Sequence, residues 1–504
     1  MTNEAATDAP DRPVDAPRWG AVYVMALAML MVTLEISLSA VTLPSIGREL
    51  DVGSGAAKWV VLAYALPTAA LAIPAGRWVD RADTRRVFLA AVAAVGLTSV
   101  LAALAPAFWV LLAARVLQGA AGAMVVALYM PVVAASVPAK LRGRALGYVA
   151  TIMPIGSMAG SALGGFVADA HGWRPVFLVK IPVLLVVWWL GSRLLPRGLG
   201  GLPAPDRTLL TDVLVLGGAV TALLLAFDRV ENGSAYVAGA LALGAAGLAV
   251  VWTRLRSSRP IVALVRRPAF GLPLLSLQLA GTFVGLSLFL LPFFVADVLH
   301  AGADLMGLAM IFLVGGVATG SSLSGRLTER YAPQLLAGAG GALTLAGLLS
   351  TLSLDAHSGL ADLAWRLALI GFGQGVFGAP NNTAMLAATP AGMIGTGGGV
   401  AATVRTLAFT VGPAVASLAY GLGGGGARGF RTGVVVLAAL QVAGVLAVAA
   451  GRAASRPAGP RGSTDSTDLK GSTGSAAPAH SPDAADSAPG GSRPAPSVER
   501  AARA

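Results

Sequence analysis

The chain has 504 residues, of which 56% are hydrophobic and only 12% are charged, against about 25% charged residues in an average soluble domain. This composition excludes a soluble protein, and the net charge of +12 does not indicate a nucleic-acid partner, because the basic residues lie between apolar runs. Without cysteine there is no disulfide or thiolate metal site. The four histidines lack the spacing of metal ligands, so no metal site is expected.

Apolar runs with the length of a membrane-crossing helix recur along the chain. We predict fourteen spans, at 20–42, 59–76, 87–105, 107–130, 144–168, 175–192, 210–227, 235–252, 270–292, 305–324, 335–353, 363–382, 396–420 and 431–450. With the N-terminus in the cytoplasm, about 19 Lys and Arg lie on the inner side before the tail and about 7 on the outer side, as the positive-inside rule requires. We therefore expect an all-α, multi-pass protein of the cell (plasma) membrane with both termini in the cytoplasm.

The spans fall into two groups of six around a central pair. "AGRWVDRADTRRV" follows the second span, and "SGRLTERYAPQLL" follows the second span of the later group, which indicates two related halves around a substrate path. The tail is rich in Ser, Pro, Gly and Ala, which favours disorder. The predicted organisation is a cytoplasmic tail (1–18), a six-helix bundle (19–192), a linker with two additional transmembrane helices (193–269), a second six-helix bundle (270–451) and a disordered cytoplasmic tail (452–504).

Several motifs lie in order on these spans. The first span contains "LEISLSAVTLP" with Glu35, and the fourth contains "LLAARVLQGAAGA" with Arg115 and Gln118. The sixth span begins within "GWRPVFLVKIP", and we interpret Lys180, near its start, as a side chain that reaches the outer interface. The first inner loop reads "GRWVDRADTRR" and contributes Gly76, Asp80, Arg81, Arg85 and Arg86.

The fifth span carries "GYVATIMPIGSMAGSALGG". Gly156, Gly160 and Gly164 form one narrow stripe on a helix and predict close packing against another helix, whereas Gly147 lies about 180° around the same helix. The remaining positions of this segment that we single out are Gly165, Pro154, which can bend the helix, and Ser161.

Together these segments resemble the major facilitator superfamily, and in particular its fourteen-span drug:proton antiporters, over about residues 20–450. The resemblance implies two six-helix bundles plus two central helices and a cytoplasmic latch at the first-loop residues. The glycine segment is similar to the antiporter signature of this superfamily, with Ser161 in place of its proline. Arg405 resembles an arginine usual in the thirteenth span of these antiporters, where packing or gating is the favoured interpretation.

Glu35 and Arg115 are the candidate proton-coupling residues. A carboxylate within the hydrocarbon region is costly unless it is paired, hydrated or protonated. Counting residues puts both side chains roughly 12 Å below the outer surface, so they could pair. The alternative is that both belong to a fixed polar network that holds the first and fourth spans together.

A substrate path should be mostly apolar with a few polar groups. Weak candidates for its lining, each also compatible with ordinary packing, are Tyr64, Gln118, Tyr129, Gln278, Phe283, Phe289 and Gln374.

We predict a monomeric exporter of small lipophilic drugs or natural-product antibiotics, driven by the proton gradient and needing no cofactor. A metabolite importer or facilitator of the same fold is one alternative. A lipid-handling or sensory membrane protein without proton coupling is another. No nucleophile with its base and no nucleotide-binding loop is present in the sequence, so an enzyme is not expected.

Overall fold

The computed structural model of the protein describes residues 16–196, 201–204, 206–231, 235–301 and 303–454. The chain divides into two compact units, Met1–Arg456 and Pro457–Ala504, and all the described residues belong to the first. The predicted C-terminal tail, most of the N-terminal tail and the side chains of Pro154 and Ser161 lie outside the described residues.

The described part is almost entirely helical. The helices are α1 (Trp19–Glu49), α2 (Ser54–Ala57), α3 (Trp59–Val79), α4 (Thr84–Ala103), α5 (Phe108–Ser136), α6 (Arg142–His171), α7 (Trp173–Leu178), α8 (Ile181–Leu194), α9 (Arg207–Glu231), α10 (Ala235–Arg254), α11 (Arg259–Arg266), α12 (Pro268–Gly281), α13 (Leu291–Asp297), α14 (Ala303–Leu327), α15 (Pro333–Ser350), α16 (Leu360–Ala388), α17 (Ile394–Leu422) and α18 (Gly426–Ala454). A π-helical turn, Leu286–Leu290, lies between α12 and α13.

Eleven helical stretches of the described chain are long and apolar enough to cross a bilayer, and α11 with α12, which meet at 82°, make a possible twelfth. Two further helices, α6 and α16, have 30 and 29 residues but are not among the eleven. Large apolar side chains such as Trp109, Phe166 and Leu422 are exposed on the outer surface of the bundles, as lipid contact requires. The all-helical, multi-span architecture is confirmed, and the count of fourteen stays a prediction.

Helices α1 and α3–α8 pack together as one half of the molecule, and α12–α18 pack as the other. Because successive long helices run in opposite directions, α3 ends on the side where α17 begins. We call this the Asp80 side, after the residue that follows α3. The first half and the second half meet there through α3 with α17 and α6 with α14.

The central hairpin of α9 and α10 packs on α3. Asp212 of α9 is buried and pairs with Arg77, in the last turn of α3. Its second oxygen accepts hydrogen bonds from Trp252 of α10 (3.1 Å) and Ser257 (3.0 Å). The two extra helices are thus fixed to the end of α3 by a buried ion pair.

We expect Asp212→Asn to weaken this attachment. Removing one partner of a buried ion pair costs about 3 kcal/mol, because the remaining charge keeps its desolvation penalty. Thermal unfolding of the purified protein in detergent measures the loss. Asp206→Asn is the matched control, since Asp206 pairs with Arg81 where both side chains are exposed, and such pairs contribute about 0–1 kcal/mol. Equal losses in the two variants would contradict the structural role given to Asp212.

Candidate functional site

Three charged side chains meet inside the first half, enclosed by α1, α5 and the junction of α7 with α8. Arg115 donates to Oε1 of Glu35 and Lys180 pairs with Oε2 of the same carboxylate. The three residues are only 0–2% exposed. We call Glu35, Arg115 and Lys180 the charge cluster. The contact between Glu35 and Arg115 is the pairing expected from their matched depths.

Polar side chains of α3, α4 and α5 complete the surroundings of Arg115. Its Nη1 donates to Gln118 (2.6 Å), whose amide nitrogen donates to the hydroxyl of Ser99 (2.7 Å). Its Nε donates to the backbone oxygen of Val60 (2.9 Å), and its guanidinium lies 4.7 Å from the ring centre of Tyr64. Gln118 and Tyr64, candidates for the substrate path, are therefore buried parts of the network around Arg115.

Lys180 does not reach the outer interface, so our interpretation of it as a surface anchor is wrong. Gly172 has φ +79° and ends α6, and a new helix begins at once with Trp173. Lys180 is therefore seven residues inside the span, or about 10 Å along its axis. The glycine turn before Trp173 is the sequence signal that could have placed it at this depth.

Asp80 connects the two halves on the Asp80 side. Its carboxylate accepts hydrogen bonds from the backbone N–H groups of Gly395 (2.6 Å) and Thr396 (2.8 Å) and from the Thr396 hydroxyl (2.6 Å). These N–H groups belong to the first turn of α17, whose N-cap, Met393, supplies no side-chain cap. An aspartate of one half therefore caps a helix of the other, with favourable interaction between its charge and the helix dipole. A Cβ on Gly76 would lie 2.2 Å from the Gly395 oxygen, so the backbones touch.

A second close contact between the halves lies at the later copy of the motif. Gly325, the central residue of the "SGR" segment of the later group, lies against Gly147 of α6, where a Cβ on Gly147 would be 2.9 Å from the Gly325 Cα. Arg144 and Glu329 form an ion pair beside it (3.7 Å). We call the contacts of Gly76 and Asp80 with α17 the Asp80 gate, and those of Gly147 with Gly325 the Gly147 gate. Each motif copy thus closes on the opposite half.

The other first-loop residues have different partners. Arg81 pairs with Asp206 of the linker before α9 (2.9 Å), and Arg85 donates to the backbone oxygen of Ser192 at the end of α8. Arg86 is exposed, and its backbone N–H donates to the N-terminal cap of α4. Of the five residues predicted to form a latch, Gly76 and Asp80 are the ones whose described contacts cross to the other half.

The glycine stripe of α6 packs on α1. A Cβ on Gly156 would lie 2.9 Å from the backbone oxygen of Leu30, and one on Gly160 would lie 2.6 Å from that of Leu34. A Cβ on Gly164 would lie 2.7 Å from the Val41 side chain and 3.2 Å from the Cα of Leu38, whereas nothing lies within 4 Å of a Cβ on Gly165. We call Gly156, Gly160 and Gly164 the glycine seam. It holds α6 against the helix that carries Glu35, and Gly147 belongs to the gate on the opposite face.

The remaining candidates for the substrate path do not form one group. Tyr129 is buried, and its hydroxyl interacts with Asn382. Arg405 is half-buried and donates to the same Asn382 (3.3 Å). Gln374 donates to the backbone oxygen of Ala280 (3.3 Å). The side chains of Gln278, Phe283 and Phe289 are all half-buried in the second half.

Phe289 packs against Phe293 and Tyr420, with ring centres 4.6 Å and 5.9 Å away. Its surroundings are therefore aromatic rather than polar. The polar group formed by Tyr129, Asn382 and Arg405 joins α5 to α16 and α17, so it lies between the two halves.

Comparison of the sequence with known families assigns this chain of two helical halves to a family. Residues 25–413 match the Major Facilitator Superfamily. The chain belongs to this superfamily. It is therefore a multi-span transporter of the Major Facilitator Superfamily, and the predicted superfamily fold is confirmed.

Named relatives and a solved structure of the superfamily extend the comparison. The chain is 30% identical over 396 residues to the multidrug resistance protein Stp of Mycobacterium tuberculosis, covering 77% of this chain and 73% of that protein. It is 24% identical to the riboflavin transporter RibZ of Clostridioides difficile, covering 79% and 87%. The crystal structure of the human organic anion transporter MFSD10 superposes with a TM-score of 0.62 at 18% identity, covering 86% of this chain and all of that one. At this identity the structure supports the superfamily fold alone.

Proposed function

We propose that this chain is a proton-coupled antiporter that exports small lipophilic drugs or antibiotics and belongs to the fourteen-span branch of its superfamily. It acts as a monomer in the plasma membrane, with both termini and the Asp80 side in the cytoplasm. It uses the proton gradient instead of a cofactor and catalyses no covalent chemistry. Similarity to a multidrug resistance protein supports export.

The observation that carries the proposal is the carboxylate of Glu35. It is 2% exposed within a membrane-spanning helix and contacts two cationic side chains. Ionisable groups at this depth are costly and mark ion or proton pathways.

We test the proposal in proteoliposomes with puromycin as the lipophilic probe. A proton gradient should drive accumulation of puromycin by the wild type, and collapsing both the pH gradient and the membrane potential should end it. Glu35→Gln should reduce gradient-driven accumulation to the level measured without a gradient, because the cluster loses its carboxylate.

Glu49→Gln is the matched control on the same helix. Glu49 pairs with Arg174 where both side chains are exposed, so its loss should leave accumulation unchanged. Accumulation that persists without any gradient, or in Glu35→Gln, would contradict proton coupling.

A metabolite transporter is the second candidate function, favoured by similarity to a riboflavin transporter. The same vesicles separate the two. Movement of riboflavin without movement of puromycin would replace the drug-export proposal with this one.

A further inference from the structure

We propose that Lys180 is the group of the charge cluster that binds and releases the transported proton, and that Glu35 is its permanently ionised counter-ion. This inference rests on the proposed proton coupling. It assigns the proton to a different atom, Nζ of Lys180, from the Glu35 carboxyl that the sequence favours.

The first argument is the charge balance of the cluster. With all three groups ionised, two cations surround one carboxylate and the cluster carries one excess positive charge. All three side chains are at most 2% exposed, and an uncompensated charge in such surroundings is expensive. The cluster becomes neutral when one proton leaves it.

Only one of the three groups can release that proton at modest cost. Arginine stays protonated in proteins. Protonating Glu35 would make matters worse, because Arg115 and Lys180 would then lack a negative partner. Buried lysine gives up its proton readily. Loss of the proton from Lys180 leaves a neutral amine beside an intact Glu35–Arg115 pair.

The surroundings of Lys180 contain the other groups that could compete for the proton. Helix α1 contributes Glu35, α5 contributes Arg115, and α3 contributes Tyr64 beneath the Arg115 guanidinium. On α7, Phe177 packs with its ring centre 5.9 Å from Nζ. Helix α4, which packs against α7 and α8, has titratable side chains only in its first turn, at Arg85 and Arg86.

Further charges near the cluster are exposed and lie toward the side opposite Asp80. Asp169 and His171 at the end of α6 are exposed. Arg174 and Glu49 form a solvent-accessible pair, and Arg174 precedes Lys180 by six residues. Because these side chains are exposed and lie outside the enclosed cluster, they do not neutralise its excess positive charge, and the loss of a proton from Lys180 does.

The proton step is a simple acid dissociation. The Nζ–H bond breaks, its electron pair stays on Nζ, and the proton passes to water on the side to which the cluster is then open. The reverse step on the other side restores the ammonium. No further reactant is needed, and the neutral amine can still donate a hydrogen bond to Glu35.

The deciding experiment counts protons without using transport. Purified full-length protein in detergent is titrated between about pH 6 and 9, where ordinary carboxyls and exposed lysines change little. The wild type should release about one proton more than Lys180→Arg, which keeps the charge but cannot dissociate. Lys180→Gln, a second variant in case the first fails to fold, should show the same deficit.

The titration needs a control for replacing a lysine by arginine elsewhere in the chain, which contains few lysines. Lys140→Arg removes an exposed lysine of the Asp80 side and should match the wild type. Equal proton release by the wild type and both Lys180 variants would overturn the proposal.

A transport measurement separates this inference from the proposed function. Lys180→Arg in proteoliposomes should lose gradient-driven accumulation of puromycin but still exchange labelled for unlabelled puromycin. Full gradient-driven accumulation by Lys180→Arg would overturn the proposal. If the wild type moves no puromycin, drug export fails for this probe, while the titration still decides the role of Lys180.

Discussion

Gly160→Leu is expected to abolish transport. Even the first added atom, Cβ, would lie 2.6 Å from the backbone oxygen of Leu34 and 3.0 Å from Cβ of Ser37. Backbone cannot move aside locally, so α6 must separate from α1, and overpacking of this kind costs about 1–3 kcal/mol or more. Transport of puromycin into proteoliposomes measures the effect, and size-exclusion chromatography shows whether the variant still folds.

Gly165→Leu is the matched control for this substitution. It makes the same chemical change five residues along the same helix, where nothing lies within 4 Å of an added Cβ. We expect Gly165→Leu to transport normally and Gly160→Ala to be intermediate. A comparable loss in Gly165→Leu would mean that helix propensity, and not contact with α1, explains the effect.

Asp80→Asn is expected to reduce transport by about tenfold or more while leaving expression intact. The amide keeps one acceptor oxygen but turns an NH₂ group toward donors of Gly395 or Thr396. Losing charge-assisted hydrogen bonds costs about 1.5–3 kcal/mol, and 1.4 kcal/mol is a factor of ten in an equilibrium. The closed form of the Asp80 gate should lose population accordingly.

The gate population can be measured directly because the chain has no cysteine. Spin labels at Lys140→Cys and Ala391→Cys, exposed positions on the two halves, report the distance across the Asp80 side. Asp80→Asn should shift the distribution to longer distances. Asp206→Asn, which alters an exposed pair of the same loop, should leave it unchanged, and an equal shift there would refute the specific role of Asp80.

The sequence could predict a contact of the site only where both residues of the contact lay on regular helices whose depth in the membrane could be counted. The pairing of Glu35 with Arg115 follows from counting residues along two spans. The same counting misplaced Lys180, because the helix that carries it begins earlier than its apolar run suggests. It begins at Trp173, directly after the turn at Gly172.

The partner of Asp80 was beyond prediction for another reason. Gly395 lies 315 residues further along the chain, and it binds through its backbone N–H, which any residue possesses. Side-chain type therefore carries no signal for this contact. The partner of Gly147 is likewise a backbone surface, at Gly325.

The two gates also bear on how quickly the cycle can turn over. Both close by backbone approaching backbone at Gly76 with Gly395 and at Gly147 with Gly325, so few side chains must be ordered on closing or released on opening. A transporter passes with similar ease in both directions only if its closed and open states differ little in free energy. Glycine at these points keeps the entropy cost of closing and opening small, and a proton or a bound solute of modest affinity is then enough to shift the equilibrium between the two states.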